Sequence, residues 1–341
     1  MNIYRFRIPL QKELKLQRGT LTERCGFIIE YHNNFAEISP LPEFSEETAD
    51  EAYSEIIALR NILKEEFRHS EKSPDDLLSF FSGKYEIRCP SVQFALWMLA
   101  HPLNGILPKS HYHFILGTPD ESLNLYRRFL DRLSSDGSTT DTDVKLKIGI
   151  HSRDRELTMI QRMTDMADAE GINVRLILDA NLSQTSESVA DYYHISGSHL
   201  KYIEDPCNDV AMLRRKHPDI PIAYDELFRK MMKEYVQEGK EFKPELLSSF
   251  SSRDTLIIKP GLTGNIHEIM DEFIHSDASC QSRLPTVTLS SAFESPIGIS
   301  YIEKLSAFMK FNSPGTDTLK YFPEDALSVS GFLKKYCIRI V

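Results

Sequence analysis

The chain has 341 residues, 41% hydrophobic and 26% charged, with a formal net charge of -10 and a pI near 5.6. That length accommodates one large α/β domain or a barrel with a smaller companion. The acidic balance argues against a nucleic-acid partner but leaves room for a small anionic substrate held by local positive groups.

The start, MNIYRFRIPLQKEL, has no apolar signal-like core. The most apolar stretch, SVQFALWMLAHPLNGIL, is broken by Gln93, His101, Pro102 and Asn104. No export signal or membrane span is therefore expected, and the cytoplasm is the expected compartment. Five scattered cysteines, at positions 25, 89, 207, 280 and 337, show no CxxC spacing and read as free thiols rather than a zinc knuckle or a disulfide framework.

In the first hundred residues, YRFRIPL, CGFIIEYHN and FAEISPLP read as three antiparallel strands. SEETADEAYSEIIALRNILKEEF reads as an amphipathic helix with an N-terminal Ser and an acidic first turn. This is an α+β cap, joined near RCPSVQFALWMLA to a different texture. From residue 110 on, short β-branched runs alternate with helical segments: HYHFILG, VKLKIGI, VRLILDA, KYIEDP, IPIAYDE, TLIIKPG and TVTLSS. Among the helical segments, RELTMIQRMTDMADAEG ends in the glycine expected just past a helix C-terminus. Seven strands in this alternation predict a parallel sheet closed as a barrel, and no GxGxxG supports a dinucleotide-binding alternative. The fold class is thus α/β: a modified TIM barrel, (β/α)7β, behind an N-terminal α+β cap. The domain bounds are residues 1–100 for the cap, 101–317 for the barrel, and 318–341 for a segment packing back on the cap.

Active sites of such barrels are built at the C-terminal ends of the strands. Those positions hold Lys147, Asp179, Glu204, Asp225, Lys259 and Glu294. Each acid alone could cap the following helix. Three on consecutive strands would repel one another unless a divalent cation neutralised them, and oxygen ligands select Mg²⁺, with Mn²⁺ as a substitute, over zinc. Two lysines flanking three acids suit abstraction of a proton α to a carboxylate, with the cation holding that carboxylate. Schiff-base chemistry at one lysine would leave the acids without a role.

The ordered set EISPLPEFSEET, KLKIG, LDAN, IEDPC, AYDE, IIKPGLTG, LSSAFESPIG and SPGTDTL resembles the enolase superfamily, specifically its muconate-lactonising subgroup and the o-succinylbenzoate synthase family of menaquinone biosynthesis. The resemblance covers nearly the whole chain. It implies Lys147 as general base and acid, Asp179, Glu204 and Asp225 as Mg²⁺ ligands, and Lys259 as the cation that stabilises an enediolate. Lys145, Asn181, Ser290 and Gly315 fall at positions near substrate, and the loop from Leu16 to Arg24 is expected to close over it. The implied reaction is syn dehydration of 2-succinyl-6-hydroxy-2,4-cyclohexadiene-1-carboxylate by a carbon-oxygen lyase. N-acylamino acid racemisation or dipeptide epimerisation is the alternative within the superfamily, and a metal-binding scaffold barrel the alternative outside catalysis. The chain departs from the pattern at Ile177, where many members carry Arg, and at Leu227, Gly261, Ala292 and Pro296, positions that bear on selectivity.

His111 and His113 share one strand face and read as barrel-wall packing rather than a metal pair. HISGSHL reads as a helix end, the charge run 229–245 as a solvated helix and loop, and Cys207 as a packing thiol. Oligomeric state is not legible from these patterns.

Overall fold

The computed structural model describes residues 1–15, 19–66, 87–135, 141–237, 247, 250–264, 266–275 and 284–341. The cap sheet is antiparallel, in the order β11-β1-β2-β3, from β1 (Asn2–Lys15), β2 (Thr20–Tyr31), β3 (Asn34–Ile38) and the C-terminal β11 (Cys337–Arg339), which pairs with Tyr4 to Phe6. The hairpin between β2 and β3 turns on His32 and Asn33, both at positive φ (48° and 62°), the backbone handedness that a tight two-residue turn requires. Helix α1 (Ala49–Glu66) starts later than the Ser45 expected from sequence. Thr48 and Glu51 close a capping box on each other's backbone N–H groups, and Ser45 instead accepts the N–H of Leu41.

Helix α2 (Pro90–Ala100) is buried at every position but Gln93. A helix apolar all round belongs inside, and α2 is the seam of the molecule, packed against β3 of the cap and against barrel helices α8 (Pro260–Thr263) and α9 (Ile266–His275). Trp97, Phe94 and Leu96 join cap and barrel side chains in one core; burial of each such side chain stabilises by roughly 1.5–3 kcal/mol.

The second sheet is parallel, seven strands in the order β10-β9-β8-β7-β6-β5-β4. It comprises β4 (His113–Ile115), β5 (Thr142–Lys147), β6 (Val174–Asp179), β7 (Leu200–Glu204), β8 (Ile222–Tyr224), β9 (Thr255–Ile258) and β10 (Thr286–Leu289). The intervening helices are α3 (Pro119–Ser135), α4 (Arg153–Glu170), α5 (Ser186–Ser196), α6 (Val210–Lys216), α7 (Glu226–Gln237), α8 and α9, followed by α10 (Pro296–Phe308) and α11 (Val329–Tyr336). Each of the seven expected runs contains one strand. The eighth place is taken by a short extended segment: Gly315 bridges Ser290 and donates to Leu289 O, and Tyr112 donates to Pro314 O. Ring closure thus passes through residues 314–315, too brief to read as a strand from sequence.

Alternation along the strands sends one set of side chains to the surrounding helices and the other inward. On β5, Val144 and Leu146 pack among the helices, while Asp143, Lys145 and Lys147 face the interior. Tyr112, Ile177, Tyr202, Ala223 and Ile257 fill the barrel's centre. The Ile177 departure therefore lies in the packed floor beneath the mouth.

Candidate active site at the barrel mouth

Register places the first site residues at one level: Lys147 pairs with Asp179, and Asp179 with Glu204, across three adjacent strands. Asp225 follows the end of β8 and Lys259 the end of β9. All five line a cavity of about 280 Å³ together with Lys145, Asn181, Ser290 and Gly315, so the structure gathers every expected site residue except Glu294. Strand β10 ends at Leu289, and Ser290 takes its mouth position. The chain then turns through Phe293 at φ 63°, which carries Glu294 away into the seam between cap and barrel, where it accepts the N–H of Ala292.

Lys145 lies one inward-facing step below Lys147, and its ammonium reaches up to Glu204 Oε1 at 2.6 Å and Asp179 Oδ2 at 3.1 Å. Lys259 donates to Asp225, with Glu226 Oε1 at 3.7 Å. Burial works against the charge on both ammonium groups, but the neighbouring carboxylates outweigh it and hold each above the ordinary lysine value. Lys147 differs: it has no hydrogen-bond or ion-pair partner among the described residues. Two cavity lysines are committed to acids and the third faces the space where a substrate would sit.

Burial pushes Glu204 up to about 8, with Asp179 and Asp225 adding to the shift, and raises Asp225 as well. Glu204 Oε2 is buried without a hydrogen-bond partner among the described residues. No group of three His, Cys, Asp or Glu side chains among the described residues is drawn close enough to hold an ion as it stands, because the ammonium groups of Lys145 and Lys259 bond the acids instead. The donor set nonetheless fits a hard divalent cation: three carboxylates on one cavity, one with an oxygen that has no hydrogen-bond partner among the described residues, and two of them, Glu204 and Asp225, raised by burial. Asn181, at φ 45°, donates to Asp179 and fixes its orientation.

Sequence reasoning missed several residues here. Asp205, fully buried at φ 41°, accepts the backbone N–H groups of Asp225 (3.1 Å) and Glu226 (2.8 Å), tying the end of β7 to the end of β8. Phe44, Phe114, Phe293 and Tyr321 wall the cavity from four separate segments. Gly315 is explained by close approach, since a Cβ there would collide with the Tyr112 hydroxyl and Ser290 Oγ.

Among the other candidates, His111 meets Glu303 at 3.4 Å and His113 packs on Phe129, so neither joins a metal group. HISGSHL does end α5, and Cys207 is a buried core thiol. Of the charge run, residues 229–237 lie on α7, where Lys233 pairs with Glu46 of the cap at 2.8 Å, and residues 238–245 lie outside the described residues. So do Leu16 to Arg18 of the expected closing loop. Its far end, Arg24, is an anchor: 1% exposed, it donates to the carbonyls of Ser39, Pro40, Ala292 and Phe293, joining the cap to the β10 loop.

Residues 1–101 match the family model for the MenC N-terminal domain. An o-succinylbenzoate synthase of Haemophilus influenzae is 29% identical over 332 residues, 93% of this chain and 89% of its own length. One from Aliivibrio fischeri is 25% identical over 335 residues, covering 94% and 90%. Among solved structures, an o-succinylbenzoate synthase from Thermosynechococcus elongatus, complexed with Mg in its active site, superposes with a TM-score of 0.65 at 17% identity over 98% of both chains. An enolase-family protein from Agrobacterium tumefaciens with homology to dipeptide epimerases, holding sodium and L-Ala-L-Glu, gives 0.64 at 17% over 94% and 93%. The chain shares its fold with solved structures of enolase-superfamily proteins, and along nearly its whole length its sequence is similar to those of o-succinylbenzoate synthases.

Proposed function

We propose that the chain catalyses the Mg²⁺-dependent syn dehydration of 2-succinyl-6-hydroxy-2,4-cyclohexadiene-1-carboxylate to o-succinylbenzoate, the menaquinone-pathway reaction of its relatives, in the cytoplasm. The observation that carries the choice of Lys147 as base is the inequality of the cavity lysines. Lys145 and Lys259 are bonded to acids, whereas Lys147 has no partner among the described residues.

Lys147 takes the proton α to the ring carboxylate and returns a proton to the departing hydroxyl, so that water leaves and the ring becomes aromatic. Lys259, kept protonated by Asp225 and Glu226, places positive charge where the enediolate forms. Asp179, Glu204 and Asp225 would hold Mg²⁺, which when bound supplies charge for the substrate carboxylate. Lys145 keeps Asp179 and Glu204 oriented, and Asn181 supports Asp179 from outside. Ser290 and Gly315 receive the succinyl end, while the rings of Phe44, Phe114, Phe293 and Tyr321 enclose the substrate ring and exclude water.

Racemisation or epimerisation would use the same two lysines as opposed acid and base, so the lysines fit both readings; similarity to o-succinylbenzoate synthases along nearly the whole chain favours the dehydration. The test is an ultraviolet assay: purified protein with the diene carboxylate and Mg²⁺ should consume diene absorbance, and EDTA should stop it. Absence of turnover with metal present would move the assignment to N-acylamino acids or dipeptides, read by exchange of the α-proton in D₂O.

A further inference from the structure

Lys147 ends β5, and the chain beyond it must turn sharply to enter α4. Gly149 makes that turn at φ 80°, and a Cβ there would collide with Ser183 Oγ and Gln184 Nε2 of the loop after β6. The amides of residues 149 to 151 lie beyond the end of β5. A single side chain takes all of them: Glu156 Oε2 accepts from Gly149 N at 2.9 Å, and Oε1 from Ile150 N at 3.0 Å and His151 N at 2.8 Å.

Glu156 lies in the first turn of α4, where side chains lean back toward the helix N-terminus, and it is 1% exposed. Tyr192 of α5, also 1% exposed, donates its hydroxyl to Oε2 at 2.6 Å. Four donors thus use both oxygens of one buried carboxylate. One residue after the lysine, Ile148 donates to Asp179 O at 2.8 Å, which couples the same turn to the strand of the first acid.

We propose that Glu156 is a positioning residue for Lys147. It fixes the turn from residue 149 to 151 and thereby the direction in which the lysine, whose side chain has no partner among the described residues, enters the cavity. The two acid-bonded lysines need no such support. The assignment rests on Lys147 being the proton-transfer group of the reaction proposed above.

A glutamine at this position offers one acceptor oxygen and an amino group that would face two donors, so half of the bonds are lost while shape is kept. Glu156→Gln should therefore lower kcat about 10- to 100-fold, because small misplacements of a reacting group carry losses of that size. KM and Mg²⁺ affinity should stay within about threefold, since the ligand acids are untouched. Hydrogen exchange of the segment 148–152 should accelerate in the variant while other barrel segments keep their protection. Tyr192→Phe removes one bond of four and should show a smaller loss of kcat in the same direction.

Unchanged exchange at 148–152 in folded Glu156→Gln, or kcat, KM and metal affinity deteriorating together, would overturn the positioning role. Absence of turnover in the wild type, with accelerated exchange in the variant, would instead overturn the reaction assigned to Lys147 and leave the held turn as a structural device.

Discussion

The two ends of the barrel carry buried charge on the same strands, yet they balance it differently. At the N-terminal end, Asp143 of β5, with no side-chain exposure, is bonded to Arg175 of β6 at 2.8 Å and Lys201 of β7 at 2.6 Å. Every charge there is satisfied, and burial holds Lys201 below its ordinary value despite Asp143 beside it. At the mouth, on these strands and their neighbours, three acids meet two bonded lysines, and among the described residues one carboxylate oxygen and the Lys147 ammonium have no partner. Beneath the cap, Phe44, Phe293 and Tyr321 leave about 280 Å³ open above it. A satisfied cluster holds strands together; an unsatisfied one beside a cavity calls for a ligand.

The comparison breaks most visibly at Lys147. Lys147→Ala should lower turnover by about 10²- to 10⁴-fold, the range of a lost proton-transfer group. Mg²⁺ affinity measured calorimetrically and the unfolding midpoint should remain those of the wild type. Near wild-type turnover would remove the base from the account.

At the other end the effect should fall on stability alone. Asp143→Asn strips Lys201 and Arg175 of their shared partner and should cost about 3–5 kcal/mol. Urea unfolding reads that loss, while Mg²⁺ affinity of the folded protein is unchanged. Altered metal affinity would show that the two ends are coupled.

The seam between cap and barrel sharpens the contrast, because its buried acids Glu37 and Glu294 stand apart from the residues that line the mouth cavity. Glu37 accepts Ser295 N and Gly298 N, Glu294 accepts Ala292 N, and Arg24 spends its donors on carbonyls. Burial and the neighbouring Glu37 push Glu294 up to about 7 from an ordinary 4.5. A carboxyl whose folded value is raised binds its proton more tightly in the native state. Its contribution is therefore fully present below pH 4.5, declines as pH rises to about 7, and is lost above that. The span amounts to about 3 kcal/mol. Glu294→Gln should flatten this part of the stability profile, and an equally steep profile in the variant would place the titration elsewhere.

The smallest effect belongs to Asn181, which donates to Asp179, one of the three acids proposed to hold the metal. Asn181→Ala should weaken Mg²⁺ binding about 10- to 100-fold, with turnover recovering at high metal. Full affinity would make the Asn181 contact a loop bond only.

What could be read from sequence follows the same division. The strand-end charges interrupt apolar runs, so Lys147, Asp179, Glu204, Asp225 and Lys259 are visible as exceptions to a local pattern. Lys145 and Lys147 share a face and a motif, and only the partners of Lys145 distinguish them physically. Glu294 followed the strand rule on paper and left the mouth because Phe293 reverses the chain. The aromatic walls, Asp205 and Glu156 carry no local signal: each acts through a contact set by the closure of the barrel or by the turn between two elements. β11 has three residues, and it is a strand only because β1 offers an edge.

The central claim is that the three acids at the mouth form one divalent-cation site, and Mg²⁺ titration calorimetry on the wild type and on Asp179→Asn, Glu204→Gln and Asp225→Asn tests it most directly. The account predicts one ion per chain in the wild type, with binding lost or sharply weakened in each of the three variants and retained in Asp143→Asn. Wild-type affinity in any of the three mouth variants would contradict it.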